Sequence, residues 1–122
     1  MPRFVVLLHE VPPGYPRGAH YDLMLEHSGA LWTWACDRLP AIGQSIPAQR
    51  LADHRMEYLD YEGPVSGDRG HVTQVDSGDY ELVASQPALL QVRLAGEKLR
   101  GVLTLTPDSN DSGRCLLSLV TE

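Results

Sequence analysis

The stretch His20-Tyr21-Asp22-Leu23-Met24-Leu25-Glu26 alternates strictly between two sets of side chains. In an extended chain, positions 20, 22, 24 and 26 fall on one face, and the aromatic or apolar positions 21, 23 and 25 fall on the other. This period of two predicts a half-buried strand. The first face also carries His20 and Asp22, an imidazole and a carboxylate at a spacing that lets two side chains of one strand share a metal ion.

Length and composition indicate one globular domain spanning residues 1–122. The chain has 122 residues, of which 43% are hydrophobic and 21% charged, and this is ordinary for a single domain with a modest core. No apolar run approaches the roughly 20 residues that a membrane-spanning helix needs, and the run at 4–8 is too short for a signal-peptide core. We therefore expect a cytoplasmic protein without a membrane partner. Cys36 and Cys115 fit reduced core thiols rather than a metal motif.

The net charge of the chain limits the ways in which it can bind nucleic acid. The formal net charge is −6, which argues against broad electrostatic binding to a duplex. It does not exclude action on a strand end, because a metal ion and two or three arginines can hold one phosphate without a basic surface.

Short apolar or alternating segments, separated by Gly, Pro, Asp and Asn, recur along the chain. This pattern favours an all-β, antiparallel barrel or sandwich with at most one short helix. Residues 37–48 are predicted to form a loop, 48–56 at most one helical turn, 77–79 a hairpin turn and 108–113 a polar loop. The predicted strands are 4–9, 20–27, 30–36, 57–61, 71–76, 80–83, 89–94, 98–106 and 115–120.

Histidine and aspartate residues supply the candidate chemistry. His9 closes the first predicted strand, the pair His20 and Asp22 begins the second, and His54 follows a loop. Two imidazoles and one carboxylate suit Mn²⁺, Fe²⁺ or Zn²⁺, and a further histidine can serve as acid, base or phosphate donor. The set His20, Asp22 and His54 also fits the two-histidine, one-carboxylate formula of Fe²⁺ oxygenases.

Several other residues are given simpler roles. The remaining histidines, His27 and His71, are predicted to lie on the surface, since each adjoins a glycine-containing turn. Trp32 and Trp34 share one face of a predicted strand. Core packing is favoured for them over the stacking of nucleic-acid bases.

Three blocks of sequence match a known family. They are Phe4-Val5-Val6 followed by His9, the block from His20 to Ala35, and Asp53-His54-x-x-Glu57-Tyr58. In these blocks the chain resembles the 3′-phosphoesterase domain of bacterial DNA ligase D, a multifunctional end-joining ligase, and its stand-alone relatives. The similarity extends over nearly the whole chain.

The resemblance implies a small β-barrel that binds Mn²⁺ and trims 3′ ends of DNA or RNA during repair by non-homologous end joining. Such an enzyme removes a terminal ribonucleoside and then a 3′-phosphate, and other end-joining proteins are its expected partners. The metal ligands implied are His9, His20 and Asp22. The catalytic residues implied are His54, Tyr58 and Arg50, of which Arg50 also binds phosphate.

The chain departs from the family pattern at two places. Met24 stands where the family has an arginine, and the loop at 10–18 is longer and holds Arg17, which could bind substrate instead. The sequence therefore predicts a metal-dependent 3′-end-healing phosphoesterase. The alternative is a catalytically impaired metal-binding module that binds nucleic-acid ends or a repair partner.

Overall fold

The computed structural model describes residues 1–108 and 113–121. Within these ranges the chain forms nine strands and one 3₁₀ turn, Met56–Leu59. The strands are β1 (Arg3–Glu10), β2 (His20–His27), β3 (Ala30–Cys36), β4 (Ser45–His54), β5 (Gly63–Pro64), β6 (His71–Gln86), β7 (Leu89–Gly96), β8 (Arg100–Pro107) and β9 (Arg114–Val120).

The sheet closes into a ring. Its strand order is β1-β2-β3-β4-β9-β8-β7-β6, β5 is attached to β6, and β1 also pairs with β6. All pairings between these nine strands are antiparallel. The predicted all-β, antiparallel barrel is thereby confirmed. No helix in these ranges is long and apolar enough to cross a bilayer.

Three local predictions were wrong. The segment 57–61, predicted as a strand, begins within the 3₁₀ turn Met56–Leu59. Strand β4 covers Ser45–His54, where the sequence predicted the end of a loop and at most one helical turn. The predicted hairpin at 77–79 is instead part of β6, which continues to Gln86. Here Gly78 serves close packing, because a Cβ at this position would clash with the Ala95 carbonyl oxygen of the neighbouring strand. The polar loop predicted at 108–113 lies largely outside the described residues.

The two faces of β1, β2 and β3 pack against different apolar clusters. The larger cluster draws on most strands of the ring and includes Phe4, Leu23 and Trp34. The second cluster joins Val5 and other residues of the opposite face to the covering segment 56–72. Since Trp34 is buried in the larger cluster and Trp32 packs against it, the core-packing prediction for the tryptophans is confirmed.

A buried carboxylate stabilises the turn between β7 and β8. Asp76 accepts backbone N–H groups of Glu97 at 3.0 Å, Lys98 at 3.1 Å and Leu99 at 2.7 Å. Asp76 is only 6% exposed. Three donors of the turn therefore depend on one side chain for their hydrogen bonds.

Replacing this carboxylate should weaken the fold. We expect Asp76→Ala to lower the free energy of unfolding by about 3 kcal/mol, because three N–H groups, of which that of Leu99 is buried, lose a charged acceptor. Urea denaturation measures the change, and Asp79→Ala removes an exposed carboxylate of the same strand as a control. Equal stability of the two variants would contradict the assigned role.

Candidate active site

The register of β1 and β2 brings His9, His20 and Asp22 together. His9 is directly opposite His20, and Asp22 follows two residues later on the same face. One ligand atom from each of the three residues lies within 4.8 Å of the others. His20 and Asp22, two residues apart on β2, and His9 on β1 thus form one cluster at one end of the strand pair.

Backbone carbonyls fix the orientation of both imidazoles. His20 Nδ1 lies 2.8 Å from the Gly18 carbonyl oxygen, and His9 Nε2 lies 2.7 Å from that of Arg69. Because a carbonyl can only accept, these nitrogens carry the protons. The other nitrogens face Asp22, with His20 Nε2 at 3.2 Å from Oδ1 and His9 Nδ1 at 3.7 Å from Oδ2.

The donor set fits a divalent cation. Asp22 Oδ1 is buried and has no hydrogen-bond partner among the described residues. In the neutral imidazoles, the nitrogens that face Asp22 carry lone pairs, so acceptor atoms face one another. An ion between them would satisfy all three groups, and a ring N–H held by a carbonyl is the usual arrangement of a metal-binding histidine.

The cluster is electrostatically coupled. The Asp22 carboxylate, against the opposing effect of burial, raises the pKa of His9. Burial raises the pKa of Asp22, but the approach of His20 and His9 outweighs it and holds that pKa below its ordinary value. The charged forms of the cluster therefore stabilise one another, as in groups that share a binding site.

A groove of about 550 Å³ lies over the cluster and includes other predicted site residues. His54, Tyr58 and Arg17 line this groove. His54 Nδ1 lies 2.9 Å from the Ala52 carbonyl oxygen and therefore donates to it. His54 is not part of the described His/Asp cluster, in which His9 rather than His54 is the second imidazole beside His20 and Asp22.

Arg50 lies elsewhere. Its guanidinium carbon is 4.7 Å from the centre of the Trp34 ring, and its Nη2 lies 2.8 Å from Asp53 Oδ1. Arg50 lines a separate cavity together with Trp32 and Trp34 and is not among the residues that line the groove. The reason is the alternation of β4, which directs residue 50 toward the tryptophan side of the sheet and residue 51 toward the groove.

The sequence left open whether Arg69 reaches the site and did not indicate Arg55, and both arginines line the groove. Arg55 directly follows His54, and this proximity was the available signal for it. Arg69 belongs to a glycine-flanked turn that is distant in sequence from the predicted site residues. Met24 also lines the groove but is buried in the second apolar cluster. The groove lining is therefore apolar at residue 24.

His27 and His71 are exposed, as predicted. The His27 ring stacks on Trp32 with 3.9 Å between ring centres. Both histidines lie outside the lining of the groove.

A small antiparallel barrel with a His/Asp cluster beside cationic side chains defines a class of protein suited to anionic esters. The model of the DNA Ligase D 3′-phosphoesterase domain family matches residues 15–107, and the chain belongs to this family. It is 32% identical over 95 residues to the multifunctional non-homologous end joining protein LigD of Pseudomonas aeruginosa. The match covers 67% of this chain but 11% of that protein.

The coupling within the cluster predicts the response to Asp22→Asn in metal-free protein. The variant loses the carboxylate that raises the His9 pKa and keeps the burial that lowers it, so this pKa should fall. Ring NMR titration in the presence of a chelator measures it. Asp53→Asn, which removes a groove carboxylate held by Arg50, should leave the His9 titration near that of the wild type.

The same coupling has a defined pH window. The contribution of His9 to stability is present below its ordinary pKa of about 6.5 and is lost as pH rises through the raised value. The contribution of Asp22 to stability is present above its ordinary pKa of about 3.8. It is lost as pH falls through the lowered pKa that Asp22 has in the folded protein. An unchanged His9 pKa in Asp22→Asn would contradict the coupling.

Proposed function

We propose that this protein is a metal-dependent phosphoesterase that removes the 3′-phosphate from a nucleic-acid end in DNA repair. Family membership supports the reaction class. The observation that carries the proposal is the cluster of His9, His20 and Asp22, in which both outer ring nitrogens are held by carbonyls and the inner atoms converge.

The same three residues would hold the divalent ion. We propose Mn²⁺, and the ligand set is also compatible with Zn²⁺ and Fe²⁺. When bound, such an ion supplies Lewis acidity toward a phosphoryl oxygen. Around it, the imidazoles keep their orientation because the carbonyls of Gly18 and Arg69 accept their outer N–H groups.

His54 would act on the phosphate through its remaining nitrogen. Nδ1 is engaged by the Ala52 carbonyl, so Nε2 is the nitrogen left for substrate. In the imidazolium form both nitrogens carry protons, and Nε2 can donate to a phosphoryl oxygen or protonate the leaving group. Tyr58, whose ring centre is 5.8 Å from that of His54, lies beside it in the groove.

The groove suits the end of a strand better than the side of a duplex. Cationic side chains converge on one cavity of about 550 Å³, while the chain as a whole has a net charge of −6. A terminal phosphate can enter such a site, whereas extended backbone contact needs a basic surface. We propose 3′ ends of DNA or RNA as substrates, including ends with a terminal ribonucleoside, and other end-joining proteins as partners.

The proposal predicts phosphate release from a 3′-phosphorylated primer-template in the presence of Mn²⁺ and none after chelation. Removing His54 should lower kcat by about 10²–10³-fold, because one donor to the developing charge is lost. The measurement is colorimetric phosphate release by wild type and His54→Ala. Asp22→Asn should lose both turnover and tight Mn²⁺ binding.

His71→Ala removes an exposed imidazole outside the groove and serves as the matched control. It should retain wild-type turnover. Equal phosphate release by the wild type and by His54→Ala would contradict the catalytic proposal.

A second candidate function is a module that retains the metal and binds ends without turnover. One observation favours it: Met24, which lines the groove two residues after Asp22, is 1% exposed and cannot hold a phosphate. The Fe²⁺ oxygenase hypothesis has less support, since the chain belongs to a phosphoesterase family. The ligand formula by itself does not separate these chemistries.

Met24→Arg distinguishes the first two candidates. If the protein is an active phosphoesterase, the variant should gain no turnover and should lose about 1–3 kcal/mol of stability, because a charge enters an apolar cluster. Met24→Leu conserves volume and controls for packing. An inactive wild type that becomes active as Met24→Arg would favour the end-binding module.

A further inference from the structure

The turn between β5 and β6 holds an arginine beside the candidate metal cluster. Gly70 has a φ of +100°, and a Cβ at this position would clash with the carbonyl oxygen of Glu10. Only glycine allows this contact with the end of β1. The Val65 N–H closes the turn by donating to the Gly70 carbonyl at 2.8 Å. Arg69 is thereby fixed next to the strand end that carries His9.

Arg69 already touches the cluster through its backbone. Its carbonyl oxygen lies 2.7 Å from His9 Nε2 and orients that ring toward Asp22. This contact uses no side-chain atom of Arg69. The orientation of His9 is therefore separable by mutation from whatever the guanidinium does.

Ser66 anchors one edge of the Arg69 guanidinium. Nε donates to the Ser66 carbonyl at 2.6 Å and Nη2 to Ser66 Oγ at 3.1 Å. A guanidinium has five N–H donors, and these two bonds use the edge formed by Nε and Nη2. The edge formed by Nη1 and Nη2 has no further partner among the residues that the structure describes. The anchored side chain also lines the groove.

We infer that Arg69 is the arginine that binds the phosphate in this groove, through its Nη1/Nη2 edge and in a bidentate manner. The inference rests on the proposed function, because that function places a phosphate ester in the groove. A guanidinium fork matches two phosphate oxygens, and an anchored fork loses little conformational freedom on binding.

The other cationic side chains of the groove are less suited to this role. Arg55 Nε is paired with Glu57 Oε1 at 2.9 Å. Arg17 is exposed on the loop between β1 and β2, and in the described ranges no hydrogen bond or ion pair anchors it. Arg55 is thus partly neutralised by a carboxylate, whereas the anchor of Arg69 is the uncharged Ser66. Since Met24 provides no charge, Arg69 is the groove arginine that combines an uncharged anchor with an open fork.

The test separates metal binding from phosphate binding. Mn²⁺ affinity is measured by electron paramagnetic resonance, and the affinity of Mn²⁺-saturated protein for inorganic phosphate is measured by calorimetry. Arg69→Ala should keep Mn²⁺ affinity within about twofold and weaken phosphate binding by about tenfold to a hundredfold. Arg69→Lys should restore only part of the loss, because it keeps the charge but not the fork.

Arg38→Ala removes the same charge from an exposed position outside the groove and should bind phosphate as the wild type does. Phosphate affinity in Arg69→Ala equal to that of Arg38→Ala overturns the inference. A similar loss of Mn²⁺ affinity in Arg69→Ala and Arg69→Lys also overturns the inference, since the Arg69 side chain would then act on the metal ligand His9. Phosphate binding that depends on Arg69, without ester hydrolysis by the wild type, supports the inference while the proposed function fails.

Discussion

The antiparallel pairing of β1 with β2 is the constraint on which the site depends. It sets His9 opposite His20 and leaves Asp22 on the same face. Because side chains alternate with a period of two, a slip of one residue would send the cluster into the opposite apolar face. The strand pair resists such a slip, since each of its faces packs against a separate buried cluster.

The larger apolar cluster stabilises the closed ring, and the candidate site lies on the opposite face of β1 and β2. The larger cluster fills one face of β1 to β3 with residues such as Leu23 and Leu25. On the opposite face, Val5, Leu7 and Met24 are covered by the segment that contains Leu59 and Val65. Where this cover stops, the strand ends present His9, His20 and Asp22 to the groove. The apolar cover thus also forms a wall of the site.

Charge is distributed unevenly between the protein and its groove. The chain carries a net charge of −6, yet Arg17, Arg55 and Arg69 line one cavity together with the cluster. Two of these side chains are restrained by neighbours, Arg55 by Glu57 and Arg69 by Ser66. Local concentration of restrained cations can hold a single anionic group even when the whole surface repels polyanions.

The sequence predicted the elements that depend on local pattern. Alternation was sufficient for β2, and short apolar segments bounded by turn residues located β1 and β3. The sequence pattern failed at Gly78, where glycine serves a close approach of strands. It also failed at 57–61, where alternating residues begin within the 3₁₀ turn Met56–Leu59 instead of forming a strand. Propensity does not distinguish these cases, because packing against a neighbouring strand or cluster decides them.

The sequence by itself determined which residues could bind a metal or a phosphate, since that depends on the chemistry of each side chain. Only the tertiary structure decided which of them meet. It placed His9 rather than His54 with His20 and Asp22, directed Arg50 toward Trp34, and brought Arg69 to the groove. The physical reason is that strand register and ring closure set distances between residues far apart in the chain, and no local pattern encodes those distances.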